Sequence, residues 1–428
     1  MNLQSMNDKR PAEGSAPEIP GDGLRILLIT NFYPPHVKGG AELAAAHLAA
    51  WLARNGQQVG VLTLAPPGEP DSVRVEAPGL TVFRRNIPNV YHALQHVGAA
   101  GWKKPFWHVL DHFHPLAAAR LREVIAEFRP DVVNTHNLQG LGYNLWQVLG
   151  DLDLPVLVAL HDLSLMCLRQ SMFKNGENCA RQCGICRVSA AIRGRYLRSI
   201  RRLDFISASR ALLGVVKGAF PANAGRGIYL QNPLDFPLRT EVSPTGSVIR
   251  LLYAGQVSPH KGVPFLLDVL NSLPQKDRFK ITVVGKGGSL AGLQETYRGC
   301  DWVRFTGFVA PEAVDGYMRE ADVLIVPSLW YENQPLVILQ ARALGLPLML
   351  SDRGGLPELV QDGAFGRVLE AGNRDVWREA LQSVTEDPAL VARWKKEALA
   401  RCAEFNVDDL GHRYIGIVRA LIRGQCAS

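Results

Sequence analysis

The chain has 428 residues, 47% hydrophobic and 20% charged, which is too long for one core, since single cores stop growing near about 250–300 residues, and too apolar for a disordered polymer. No run of about 18 apolar residues occurs, so a spanning helix is excluded. Lysine and arginine exceed the acids by 47 − 40 = 7, which favours anionic partners: phosphates, nucleic acid or acidic lipid.

Residues 1–23 mix proline, glycine, serine and charge and read as a mobile tail. They hold no apolar stretch of the kind a secretion signal needs, and the cysteines number an odd seven; a reducing cytoplasm is therefore the expected compartment. From Leu24 onward, β-branched runs alternate with helical patterns, as in parallel sheets covered on both faces. RILLIT reads as a buried strand, and AELAAAHLAAWLARNG sets Leu48, Trp51 and Leu52 on one helical face before an Asn55-Gly56 stop. QVGVLTL returns as a parallel neighbour. Further strands are predicted at 131–135, 155–161, 204–207 and 227–230, and helices at 116–128 and 209–220. The segment QNPLDFPLRTEVSPTGS, with three prolines and no helical period, reads as a linker. The alternation then restarts with IRLLYAG, FKITVVG, WVRFTG, ADVLIVP and LPLMLS, separated by helices at 263–273, 311–320 and 335–344. Three helices close the chain, at 376–385, 390–405 and 410–422. The expected class is α/β: two Rossmann-like, doubly wound domains over 24–232 and 233–405, facing across a cleft, with 406–428 as a helix able to pack back on the first.

In such sheets, ligands sit beyond the carboxyl ends of the strands. The first such loop, NFYPPHVKGGAEL, opens a helix at Gly39 and Gly40, where absent Cβ atoms let an anion approach backbone N–H groups; a tight turn is the plainer reading. VVGKGGSL lacks the third glycine of a dinucleotide fingerprint, which argues against nicotinamide. Lys261, in GQVSPHKG, follows a strand and suits a diphosphate, although a surface lysine is the plainer alternative. PSLWYENQPLVILQ places Glu332 and Asn333 on a loop before a helix begun by Pro335, with Gln340 in its second turn and Gly354-Gly355 after the next strand.

These positions carry a resemblance. Pro34-Pro35 with Gly39-Gly40, His161-Asp162 after VLVAL, Asn232-Pro233, Lys261-Gly262, Gly285, and PSLWYENQPLVI followed by GLP and GGLPE together resemble the GT-B glycosyltransferases of retaining family 4, from Leu24 to about Ile422. The resemblance implies transfer of a sugar from a nucleoside diphosphate sugar to an acceptor hydroxyl, with 24–232 on the acceptor side and 233–405 binding the nucleotide sugar. It implies that His161 and Glu332 border the sugar as catalytic residues, and that Gly39 and Gly40 meet diphosphate or acceptor. Lys261 and the amides of Leu336 and Val337 would hold the diphosphate, with Gln256, Gly285, Asn333 and Gln340 completing the donor set. No cofactor beyond the donor and no metal is expected, because fixed cations and helix dipoles replace Mg²⁺ in this class. Two positions depart from the family: Gln340 stands where a second glutamate binds ribose, and Gln256 where an arginine is common. Glutamine keeps an acceptor for a hydroxyl but loses the ionised one. Those two glutamines motivate the alternative of a nucleotide-sugar-binding, non-catalytic partner.

His161 ends an apolar run, the usual place for a functional side chain, with a packing histidine as the alternative; His136 is a second candidate, facing acceptor. Cys167, Cys179, Cys183 and Cys186 lack a clean pair of zinc knuckles, so reduced thiols are preferred over a metal site. RVSAAIRGRYLRSIRR, from Arg187 to Arg202, has six arginines and no acid; it suits an anionic membrane surface, against a plain solvated face. Trp102, Lys103, Lys104, Phe106 and Trp107 either join that surface or cover the core. Nucleic acid is not expected, because the aromatics form no stacking platform. The reading is a cytoplasmic enzyme, peripheral at the inner membrane face, that acts on a glycan or lipid-linked acceptor in cell-surface polysaccharide or lipopolysaccharide assembly.

Overall fold

The computed structural model describes residues 23–96, 98–220, 226–233, 236, 238–241, 244–360, 363–404 and 406–424. The tail expected over 1–23 therefore lies, but for Gly23, outside the described residues, as do parts of the linker. The chain forms two compact units, one of Met1–Gln170, Gln182–Leu234 and Val407–Ser428, the other of Ser171–Arg181 and Asp235–Asn406.

The first unit begins with β1 (Arg25–Ile29), α1 (Gly40–Arg54), β2 (Gln58–Leu64), β3 (Ser72–Ala77), β4 (Leu80–Arg85), α2 (Lys103–His112) and α3 (Pro115–Phe128). It continues through β5 (Val132–Thr135), α4 (Leu145–Asp151) and β6 (Val156–Leu160). A short hairpin follows, β7 (Phe173–Lys174) and β8 (Glu177–Asn178), which belongs to the second unit. The chain then returns for α5 (Gly184–Arg198), β9 (Leu203–Ser207), α6 (Arg210–Ala219) and β10 (Gly227–Tyr229). Its sheet has eight strands in the order β10-β9-β6-β5-β1-β2-β4-β3. All pairings are parallel except β3 with β4. Ile26 to Ile29 are wholly buried in the centre, as expected of a strand covered on both faces. Edge strand β3 exposes Val73 and Val75.

The second unit comprises β11 (Ile249–Ala254), α7 (Val263–Asn271), β12 (Phe279–Val284), α8 (Leu290–Thr296), β13 (Val303–Gly307), α9 (Val314–Glu320), β14 (Val323–Val326), α10 (Leu336–Ala343), β15 (Leu348–Ser351) and β16 (Gly366–Leu369). Two helices close it, α11 (Arg374–Glu386) and α12 (Pro388–Ala400). Its six strands are all parallel, in the order β13-β12-β11-β14-β15-β16. One layer of core gathers Leu251, Leu266, Ile281 and Trp377, and the other Leu324, Ile338, Leu344 and Leu350.

The last helix, α13 (Val407–Ile422), packs in the first unit's core, where Leu410, Tyr414, Val418 and Leu421 meet Trp51, Leu52 and Val132. Two polar contacts fix its register: Trp51 Nε1 donates to Asp408 at 2.8 Å, and Asn134 Nδ2 donates to the Tyr414 hydroxyl at 2.8 Å. Two Rossmann-like α/β units are thus present, with strands β3, β4, β7, β8 and β16 added to those read from the sequence.

Candidate functional site

In the second unit, the loops beyond β11, β12, β14 and β15 converge through backbone contact. Gly262 has φ +75 and lies so close to Pro327 that an added Cβ would meet its carbonyl oxygen at 1.9 Å. Gly285, at φ +137, would meet the Gly255 oxygen at 1.8 Å. Only glycine fits either place, so both residues set the approach of neighbouring loops. Gly355 N–H donates to the Glu332 carbonyl at 2.8 Å, tying the loop after β15 to the loop after β14.

This packing brings Lys261 and Glu332 together, although 71 positions separate them. Lys261 Nζ lies 2.7 Å from Glu332 Oε1. The same oxygen accepts the Ser328 hydroxyl at 2.6 Å and the Trp330 indole N–H at 2.8 Å. Lys261 Nζ also stands 4.5 Å from the centre of the Trp330 ring, within cation–π range. Burial pushes the Glu332 carboxyl upward, but the Lys261 charge and the bonds from Lys261, Ser328 and Trp330 outweigh it and hold the pKa below the ordinary glutamate value. Glu332 is therefore a fixed, ionised acceptor.

The His260 ring centre is 4.4 Å from that of Trp330, and Phe173 of the hairpin lies 6.2 Å from His260. Asn178, also on the hairpin, donates from Nδ2 to the Leu329 carbonyl at 2.8 Å. The hairpin thus buttresses the loop that carries Glu332. Asn333 follows Glu332, and Pro335 is the N-cap of α10, supplying no side-chain cap to the amides of Leu336 and Val337. Gln340 is half-buried one turn further on, and Gln256 is exposed in the loop after β11.

In the first unit, Gly39 is the N-cap of α1 and Gly40 its first residue. The Gly39 N–H donates to Glu42 Oε2 at 2.9 Å in a capping box. The amide read as an anion cradle thus serves the chain's own carboxylate. Burial raises the Glu42 pKa, against the opposing amide bonds and Lys38.

His161 follows β6 and stacks on His136, which follows β5. Their rings lie 5.0 Å apart at 16°, with His136 Nδ1 2.7 Å from His161 Nε2. Both line a small cavity of about 40 Å³ with Asn134, Ser207, Asn232 and Tyr414. Burial lowers the pKa of His161 to about 4, and burial followed by the His161 charge lowers that of His136, so both rings are neutral at pH 7. The unfolded His161 takes up its proton near pH 6.5 and the folded one only near 4; stability is therefore lost as pH falls through that window. At pH 5, His161 should cost about 2 kcal/mol. His161→Phe should flatten the decline of urea stability between pH 7 and 5, and a slope equal to the parent's would contradict this assignment.

The arginine helix divides. Arg187, Arg195 and Arg198 are exposed, whereas Arg193 is buried, with its guanidinium 3.9 Å from the Tyr143 ring centre and bonded to the Ser164 carbonyl. Tyr196, Leu197 and Ile200 face the core, while Ile185 and Val188 are exposed. On α2, Trp107 is buried, but Trp102, Phe106, Val109 and Phe113 are more than half exposed, at spacings of one helical face. The two helices are packed together: the Tyr196 hydroxyl donates to the His112 carbonyl at 2.9 Å, and His112 Nε2 lies 2.9 Å from Ser189 Oγ. Among the described residues no helix is long and apolar enough to cross a membrane. Nor, among them, is any group of three or more His, Cys, Asp or Glu side chains placed to hold a metal ion.

Comparison with known proteins bears on both units. Residues 39–212 match the family model "Glycosyl transferase 4-like domain", and residues 241–401 match "Glycosyl transferases group 1". Glycogen synthase of Mycobacterium tuberculosis is 27% identical over 393 residues, covering 88% of this chain and 90% of that one. Among solved structures, sucrose-phosphate synthase of Thermosynechococcus elongatus superposes with a TM-score of 0.72 at 19% identity, covering 94% of this chain and 100% of that one. HepE of Anabaena, solved in complex with UDP-glucose, gives 0.63 at 18% identity, covering 92% and 99%.

Proposed function

Because the chain belongs to the glycosyltransferases of the GT-B fold and family 4 type, we propose that it transfers a sugar from a nucleoside diphosphate sugar to an acceptor hydroxyl, with retention and without a metal ion. The observation that carries this reading is the Lys261–Glu332 pair, a fixed cation and a fixed carboxylate at the carboxyl end of the second sheet. The Lys261 ammonium would meet the departing diphosphate, helped by the amides of Leu336 and Val337 at the start of α10, where partial positive charge favours an anion. Glu332 would orient the sugar from the same loop, with Asn333 beside it. Gln340 and Gln256 would accept donor hydroxyls as neutral groups, Gly285 would keep its loop close, and Gly39 and Gly40 would border the acceptor. His161, held neutral against His136, would offer the sugar a hydrogen bond rather than a charge. A nucleotide-sugar donor is supported by the UDP-glucose complex of HepE, and a glycan acceptor by the likeness to a glycogen synthase. A lipid-linked acceptor in polysaccharide or lipopolysaccharide assembly is the further proposal.

A panel of nucleoside diphosphate sugars tested by thermal shift should contain one that raises Tm by several degrees, since a ligand at 100 times its Kd stabilises by about 2.7 kcal/mol. That sugar should then be transferred to product. A panel without any shift, or a shift that Lys261→Ala preserves in full, contradicts the reading.

We also propose that the enzyme works in the cytoplasm, at the inner face of the membrane. The exposed face of α2, with Lys103 and Lys104, and the exposed arginines of α5 offer apolar anchors beside positive charge, each basic residue contributing about 1 kcal/mol at an anionic surface. Sedimentation with phosphatidylglycerol vesicles should exceed that with phosphatidylcholine vesicles at least tenfold. Trp102→Ala with Phe106→Ala should remove most of it. Equal sedimentation with both lipids would sink the idea.

A further inference from the structure

The hairpin Ser171–Arg181 is flanked in sequence by Cys167 on one side and by Cys183-Gly184-Ile185-Cys186 on the other. Cys183 is the exposed N-cap residue of α5, and Cys186, one turn in, is buried. The Cys186 Sγ lies 4.0 Å from the Sγ of Cys167, which is also buried. All three are free thiols. We propose that Cys183, Cys186 and Cys167 form a thiol–disulfide exchange site that reacts with low-molecular-weight disulfides of the glutathione class and stores the oxidation as a Cys167–Cys186 bond.

The three sulfurs differ as such a relay requires. Cys183 reaches solvent, and hydrogen bonds from the Cys186 amide and then the Cys186 thiol lower its pKa. It is thus the thiolate that attacks. Burial, only partly offset by the Leu168 amide, pushes the Cys186 thiol up to about 12, which keeps it protonated until a partner sulfur is presented. In the first step, the Cys183 thiolate attacks one sulfur of the disulfide, the S–S bond breaks, and one glutathione thiolate leaves. In the second, Cys186 gives up its proton and attacks the Cys183 sulfur of the mixed disulfide, expelling the second glutathione. In the third, Cys167 gives up its proton and attacks Cys186, releasing Cys183 as a thiolate; the protons of Cys186 and Cys167 pass to the two departed glutathione thiolates. Two protein thiols are oxidised and one disulfide is reduced to two thiols, so electrons and protons balance. The ring so closed contains residues 168–185, and with them Phe173 and Asn178, the two hairpin residues that contact His260 and Leu329. Oxidation would therefore constrain a segment that supports the Glu332 loop.

The test uses the full chain, reduced, then exposed to oxidised glutathione, quenched with N-ethylmaleimide and mapped by mass spectrometry. The expected result is loss of two alkylatable thiols, two glutathiones released, and a linked peptide pair containing Cys167 and Cys186. Cys183 should react with iodoacetamide at pH 7 at least tenfold faster than half-buried Cys300. Cys183→Ser should slow oxidation at least tenfold, and Cys186→Ser should arrest it at a Cys183–glutathione adduct. Cys300→Ser should change nothing. Cys183 reacting no faster than Cys300 overturns the proposal, as do mixed disulfides without an internal link. So does stoichiometric zinc in the reduced protein, released as the thiols are modified. No sugar enters these readouts, so their failure is separable from failure of the glycosyltransferase reading.

Discussion

Glu332→Gln is expected to lower kcat for sugar transfer by about 100-fold or more, with the donor KM raised less than tenfold. The substitution keeps an oxygen where Glu332 Oε1 accepts Ser328 and Trp330, so the loop should hold its shape. It removes the charge that faces Lys261 at 2.7 Å. Glu332→Ala goes further, because a hydroxyl and an indole N–H then lose a buried acceptor at about 1–3 kcal/mol each; it should lose stability as well as activity. Lys261→Ala should behave differently again. The diphosphate loses its cation, so donor KM should rise by more than tenfold, and Glu332 keeps only neutral donors. Its pKa should then climb, because burial was opposed chiefly by Lys261. Parallel kcat, KM and urea-stability measurements on the three variants separate these outcomes. A Glu332→Gln enzyme turning over at the parental rate would remove Glu332 from the chemistry.

Both sheets are legible because their central strands are almost wholly buried and therefore read as near-continuous apolar runs: RILLI, VLVAL, VLIV. The strands that escaped carry charge or are very short. SVRVEA carries Arg74 and Glu76, LTVFRR ends on Arg84-Arg85, and the two form a pair at the sheet's edge, while the four-residue GRVL opens on a glycine and an arginine. The hairpin at 173–178 carries a local signal in its sequence: Asn175-Gly176, both at positive φ, is the preferred two-residue turn. Its membership of the second unit was not readable, since nothing local says where a loop docks. Gly39 shows the limit of reading glycines singly. Glu42 three residues later completes a capping box, and that spacing was present in the sequence. Arg193 illustrates the converse, a cation among solvated neighbours that the helical period turns inward beneath Tyr143. The pairs Lys261–Glu332 and His136–His161 follow from the strand order, so motifs supplied the residues while topology supplied the partnerships.

Asp322→Ala is expected to destabilise the second unit by about 3–5 kcal/mol, the range for removing one partner of a buried ion pair. Asp322 is fully buried and precedes β14. It accepts the Arg250 amide at 2.7 Å and the Arg250 guanidinium at 3.0 Å through each oxygen. It also pairs with Lys395 of α12, whose side chain is 4% exposed. Burial pushes the Asp322 carboxyl up, but bonds from Arg250 and Lys395 outweigh this and hold its pKa below 3.8. A depressed carboxyl contributes stability that is present above its unfolded pKa and lost as pH falls through the folded one. The gap between parent and variant should therefore be full at pH 7 and shrink only below about pH 4. Burial depresses Lys395 even with Asp322 in place, so removing Asp322 raises the cost of that buried charge, whereas the Arg250 side chain is 42% exposed and keeps water. That asymmetry makes the double variant informative. Asp322→Ala with Lys395→Met removes both buried charges and should recover most of the loss, leaving urea stability within about 1 kcal/mol of the parent. A double variant as unstable as Asp322→Ala alone would place the cost in the Arg250 contacts instead.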